Sequence, residues 1–140
     1  MQTFLPYPDF GESVRCLDYR RLGKQRVEAM QLLNILTGVS GKVGWRNHPA
    51  CKMWHGRHEA LALYMNYCIN EWIGRGYNNT MELWTNWTEP TIVMPNWFGN
   101  KAFHASHRSN LLRKDAEYYG KFGWSEPSTL EYVWPTGDIE

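Results

Sequence analysis

Asp18, Arg21, Gln25, Arg26 and Glu28 fall within one stretch, DYRRLGKQRVEAMQLLNILTG (18–38). At about 100° per residue, Leu22, Ala29, Leu33 and Leu36 make an apolar stripe, and Asp18, Gln25 and Arg26 project onto that same stripe. Two readings are open. In one, Asp18 caps the helix, Arg26 snorkels outward and Gln25 bonds a loop carbonyl. In the other, the polar groups line a cleft where the helix meets a ligand, since buried charges persist only when paired. Further along, His104, His107, Arg108 and Leu111 stand at i, i+3, i+4 and i+7, so two imidazoles and a guanidinium share a helix face. Two ligands at that spacing with no third nearby fall short of a metal site. Contact with phosphates or bases suits the Arg and His better, and Arg113 and Lys114 extend the charge. A solvated helix face is the alternative, above all for Arg113.

These groups need elements to hold them. Pro6 and Pro8 keep the first residues extended or turned, and Asp9 with Glu12 resembles a capping box that starts a short helical turn. The long helix stops at Gly38 and Gly41. A loop follows, with Asn47 or His48 as cap and Pro49 in the first turn of a second helix from Ala50 to Ile73. Along it, Trp54, His58, Leu61, Met65, Cys68 and Trp72 recur at alternating four and three residues, the spacing of a buried seam. Gly74 and Gly76 end it. Residues 77–100 read mostly as loop, with a short helical candidate at Met81 to Trp84, and a third helix is predicted from Ala102 to Tyr119 before an irregular, aromatic tail. No period-two strand and no repeat are visible. The predicted architecture is all-α: a compact single domain over 1–140, with three principal helices and long aromatic-rich loops.

Composition narrows the function classes. With 43% hydrophobic residues the chain supports one core, and no apolar run approaches the roughly 20 residues of a membrane span. The first residues lack the basic-then-apolar order of a signal peptide, so a cytoplasmic protein is expected. Cys16, Cys51 and Cys68 show no C-x-x-C spacing and read as free thiols. The net charge is only +1, yet residues 14–26 carry five basic and one acidic residue, and residues 42–77 and 101–121 each carry five and two. If those segments converge, a neutral chain gains a positive face. Aromatic residues make up 15%; in loops they cover a core edge or stack on unpaired bases. No heptad run argues for a coiled-coil dimer, and a monomer is expected.

The strings MQTFLPYPDF, RRLGKQRVEA, GWRNHPACKMW, SHRSNLLRKD and EYVWP resemble a family of small phage and bacterial proteins classed as pyrimidine-dimer DNA glycosylases, over nearly the whole chain. A fainter likeness to the family's best-known member, a phage endonuclease, rests on Tyr19 to Leu22, on RGYN at 75–78 and on YYGK at 118–121. The resemblance implies a compact three-helix enzyme acting on double-stranded DNA that contains a damaged or modified pyrimidine. It would cleave the glycosidic bond and then nick the abasic site, with no metal or organic cofactor. In that chemistry an amine attacks the sugar C1′, a Schiff base forms, and β-elimination follows, while a carboxylate stabilises the cationic sugar.

Carried onto this chain, the resemblance makes the α-amine of Met1 the nucleophile, because the bulky Gln2 is expected to keep Met1 in place. An α-amine has a reference pKa of about 7.7–8.0 against about 10.4 for lysine, and so supplies more neutral amine. Lys24 and Lys114 are the fallback amines. The relative's catalytic carboxylate follows Tyr-Arg directly, where this chain has Arg21, so the acid becomes Asp18 or Glu28. DNA contacts are expected from Arg20, Arg21, Gln25, Arg26, Arg46, His48, His104, His107, Arg108, Arg113 and Lys114. The rival readings are the same fold acting on a modified pyrimidine, and a non-catalytic binder of distorted or single-stranded nucleic acid.

Overall fold

The computed structural model describes residues 4–39 and 48–135. Helix α1 (Phe10–Cys16) begins where the Asp9 carboxylate accepts the Glu12 N–H at 2.8 Å, the expected start signal. Its last carbonyls, Val14 and Arg15, accept from the Arg75 guanidinium at 3.1 Å each. After Leu17 and Asp18 comes α2 (Tyr19–Leu36), which buries Leu22, Gln25, Ala29, Leu32, Leu33 and Ile35. Gly38, at φ 81°, closes that helix.

The helix expected over Ala50 to Ile73 is two helices, α3 (Pro49–Trp54) and α4 (His58–Gly74). Gly56 takes φ 81° between them, a left-handed turn that the apolar periodicity does not register. His48 caps α3, its Nδ1 accepting the Ala50 N–H at 3.1 Å. Trp54, Leu61, Met65 and Cys68 are still buried, so the seam continues across the break. The helix expected over Ala102 to Tyr119 is also divided, into α5 (Lys101–Lys114) and α6 (Ala116–Tyr119). Asp115, at φ −154°, leaves the helix and turns its carboxylate to the Tyr118 N–H at 3.1 Å. A 3-10 turn, Gly120–Phe122, follows. No strand occurs among the described residues, and the fold is all-α.

The helical turn expected at Met81 to Trp84 is absent, because side chains of α4 take the backbone groups a helix would need. The Asn66 amide donates to the Trp84 carbonyl at 3.1 Å and accepts its N–H at 2.8 Å. The buried Glu59 carboxylate accepts the backbone N–H of Thr88 at 2.7 Å and that of Glu89 at 3.0 Å, together with the Thr88 hydroxyl at 3.1 Å. On α5, Ser106, Ser109 and Asn110 do the same for the tail. Ser106 Oγ accepts the Val133 N–H, Ser109 Oγ accepts the Leu130 N–H, and the Asn110 amide donates to the Leu130 carbonyl. The core is strongly aromatic where the N-terminal segment, α1, α3 and α4 meet: Phe4, Phe10, Trp54 and Tyr64 pack with ring centroids 5.3–6.4 Å apart.

Gly56→Ala puts a Cβ into the left-handed turn between α3 and α4. It should cost about 1–2 kcal/mol in urea denaturation, without changing the helical content seen by circular dichroism.

Candidate active site

The α1–α2 connection is too short to bury both of its residues. Leu17 goes into the core at 1% exposure, and Asp18 takes the N-cap position of α2. Its carboxylate does not cap the helix. It accepts from the Tyr119 hydroxyl at 2.5 Å and from Arg21 Nη1 at 3.2 Å, while the Asp18 N–H donates to the same Tyr119 oxygen at 3.1 Å. Burial disfavours the carboxylate charge, but the Tyr119 hydroxyl and the Arg21 guanidinium outweigh it and hold the carboxyl below its ordinary range. Asp18 is therefore ionised at neutral pH, suited to face a developing cation rather than to deliver a proton. Burial, then the bond to Asp18, pushes the Tyr119 phenol far up, so it stays a donor. Arg21 also lies 5.9 Å from the Tyr119 ring centroid.

Lys114, in the last turn of α5, places its ammonium 5.8 Å from the centre of the Tyr132 ring. Partial burial and then the charge of Arg21 lower its pKa, with Arg113 and Lys24 adding to the effect and Glu28 opposing it. A lysine so placed holds more neutral amine than an open one. Arg21 is the group common to Asp18 and Lys114: it pairs with Asp18 at 3.2 Å, and its charge acts on Lys114.

Other predicted residues are placed differently. His104 and His107 are 2% and 0% exposed, and burial lowers both, His107 to about 3. They are neutral and interior, so the reading of them as phosphate or base contacts is corrected. Their rings hold the N-terminal segment instead. His107 Nδ1 accepts the Phe4 N–H at 2.9 Å, and His104 Nδ1 lies 2.7 Å from the Leu5 carbonyl while its Nε2 accepts the Gly99 N–H at 3.0 Å. Arg108 is corrected likewise: it pairs in two-pronged fashion with Glu126 at 2.9 and 2.8 Å and donates to the Pro6 carbonyl at 2.8 Å. Gln25 is fully buried, its Oε1 accepting from Tyr64 at 2.9 Å, which removes it as a surface contact. His48 is occupied as a helix cap, and Arg113 donates to the Ser128 carbonyl at 3.0 Å. Arg26 reaches Asn79 at 2.6 Å, and Arg20 and Lys24 are exposed on α2. Met1 and Arg46 lie outside the described residues. Among the described residues no three His, Cys, Asp or Glu side chains come together as a metal site.

Sequence reasoning missed Tyr119, Tyr132 and Glu126. Tyr119 stands in the YYGK string, which carried the signal, whereas Tyr132 and Glu126 lie in an aperiodic tail. A separate cleft of about 260 Å³, lined by Tyr7, Glu12, Arg15, Cys16 and Phe122, contains none of the predicted site residues. Burial pushes the Cys16 thiol there up to about 12, which makes it a poor nucleophile.

A family model described as pyrimidine dimer DNA glycosylase matches residues 1–85, more than half of the chain. Asp18, Arg21, Lys24 and Glu28 lie inside that span; Lys114 and Tyr119 lie beyond it. No curated protein and no solved structure matches the chain.

The imidazole at His107 carries a pH signature. An unfolded histidine protonates near 6.5, whereas the folded one resists until about 3. Between those values the unfolded chain binds a proton that the folded chain does not, so stability falls as pH drops through that window and is unaffected above it. His107→Gln should flatten the dependence of urea-denaturation stability on pH across the window; an unchanged slope would assign it to other groups.

Proposed function

The chain belongs to the pyrimidine dimer DNA glycosylase family, and from that premise we propose that it removes a damaged pyrimidine from double-stranded DNA and then breaks the strand at the abasic site. A neutral amine attacks C1′ of the damaged nucleotide, and the C1′–N bond breaks with its electron pair leaving on the base, which takes up a proton. The sugar ring then opens: the C1′–O4′ bond breaks with its electron pair on O4′, which takes up the proton shed by the enzyme nitrogen, and the nitrogen lone pair completes an iminium that acidifies the C2′ proton. Its removal expels the 3′ phosphate by β-elimination, and water then frees the enzyme amine. We assign the amine to Met1, with Lys114 and Lys24 as the other candidates. The cationic sugar faces Asp18, with Glu28 as the second carboxylate.

The observation that carries this reading is a half-buried carboxylate, Asp18, held ionised by Tyr119 and Arg21, with the same Arg21 acting on Lys114. The anchoring of Phe4 supports it: His107, which accepts the Phe4 N–H, stands seven residues before Lys114 on one face of α5. That spacing is about 10 Å along the helix axis. Arg20, Arg21 and Lys24 supply charge for phosphates, the sequence-independent part of DNA affinity.

Borohydride trapping on an abasic-site duplex, with mass mapping of the cross-linked peptide, tests the chemistry. An adduct on Met1 is expected; one on Lys114 or Lys24 moves the nucleophile, and base release without any adduct reduces the protein to a lyase-free glycosylase. Asp18→Asn should lower the rate of base release from ultraviolet-irradiated DNA on the order of 10²-fold or more, while abasic-duplex affinity stays near that of the wild type. Binding with neither adduct nor base release would overturn the enzyme reading.

A further inference from the structure

Beside Asp18 the surface carries a row of rings tilted about 40° to one another. Its foundation is a close approach: a Cβ on Gly23 would lie 3.0 Å from Trp72 Cζ3 and 3.1 Å from Cη2, so any larger residue there would push the indole back by a few tenths of an ångström. Gly76, at φ 90°, then ends α4 and folds the chain back so that the Tyr77 N–H reaches the Trp72 carbonyl at 3.3 Å. The Tyr77 ring rests 4.5 Å from Trp72, and Tyr19 continues the row 6.1 Å from Tyr77. Guanidinium groups flank both ends. Arg26 sits 4.7 Å over Trp72, and Arg20 sits 5.7 Å over Tyr19 and donates to its hydroxyl at 3.1 Å.

Rings that served only to cover a core edge would be buried by it, yet Tyr19 is 49% exposed and Tyr77 39% exposed. We propose that this row binds single-stranded DNA, taking successive unpaired bases on Tyr77 and Tyr19 and the strand's phosphates on Arg20 and Lys24. Arg20 and Lys24 are four residues apart, so they share one side of α2, and both are exposed. Charge complementarity selects a polyanion, and the exposed ring surface of the two tyrosines selects bases that are not already stacked in a duplex. Two adjoining phenols suit consecutive nucleotides of a strand better than one extruded base. The inference rests on the reading that DNA is the substrate, and extends that surface: Arg20 and Lys24 are shared, while Tyr77 and Tyr19 are added.

The test is fluorescence anisotropy of the full chain with a labelled oligothymidine and, separately, a blunt duplex. The pair Tyr19→Leu and Tyr77→Leu should weaken oligothymidine binding on the order of tenfold or more and leave duplex affinity unchanged. Tyr77→Phe, which keeps the ring, should bind oligothymidine like the wild type, and the unchanged duplex affinity of the pair excludes a folding defect. Equal losses on both DNAs, no loss at all, or a Tyr77→Phe loss as large as that of Tyr77→Leu would each overturn the proposal. Base release by the wild-type chain is measured independently. If it fails while the oligothymidine effect stands, the glycosylase reading falls and the row remains; the reverse result removes the row alone.

Discussion

Phe4 and Leu5 carry main-chain polar groups into the interior of a helical protein, and those groups must find partners there or remain outside. α5 meets that requirement with three side chains. His107 accepts an N–H through Nδ1, His104 meets a carbonyl through Nδ1, and Arg108 donates to the next carbonyl in the chain. The two imidazoles thus act as opposite tautomers, one an acceptor at the nitrogen where the other is a donor. Leu5 is held at φ 51°, a left-handed conformation that a leucine adopts only when its surroundings enforce it. The same helix satisfies the tail through Ser106, Ser109 and Asn110, so its polarity serves two irregular segments.

The electrostatics of the candidate site follow from economy of partners. Asp18 takes donors from both ends of the chain: Arg21 one turn along its own helix, and Tyr119 in α6. That tie fixes where α6 lies and keeps the carboxylate charged although burial opposes it. Arg21 serves twice, paired with Asp18 and lowering the Lys114 ammonium. Several other basic residues are already paired or bonded within the fold, as Arg75 is with Glu71 and Arg108 with Glu126. On α2, by contrast, Arg20 and Lys24 are exposed.

How much of this was legible depended on whether a local signal existed. The α1 cap at Asp9, the α2 core stripe, the seam of α4 and the absence of strands follow from spacing that any helix imposes on its neighbours. The divisions at Gly56 and Asp115 were hidden because the apolar residues keep helical phase across them. The polarity of α2 was read correctly as unusual, and its causes prove mixed: Gln25 bonds Tyr64 in the core, Arg26 bonds Asn79, and Asp18 bonds Tyr119. For α5 the spacing of His104, His107 and Arg108 revealed a shared face but not what it faces. The partners that matter most, Phe4, Leu5 and Pro6, lie about a hundred positions away in sequence, and nothing local encodes them. Tyr119 was within reach only through a matching string, and Glu126 through nothing at all.

The bonds from Phe4 to His107 and from Asp18 to Tyr119 span 103 and 101 positions, unusually distant pairings for a helical protein. During synthesis, residues 1–85 can emerge and form α1 to α4 while still lacking the donor that settles Asp18 and the imidazoles that receive Phe4 and Leu5. Until α5 and α6 have cleared the ribosome, the N-terminal segment has nowhere to dock and the carboxylate has only Arg21. The bonds around the candidate site are therefore completed late, when the last helices close over the first residues made.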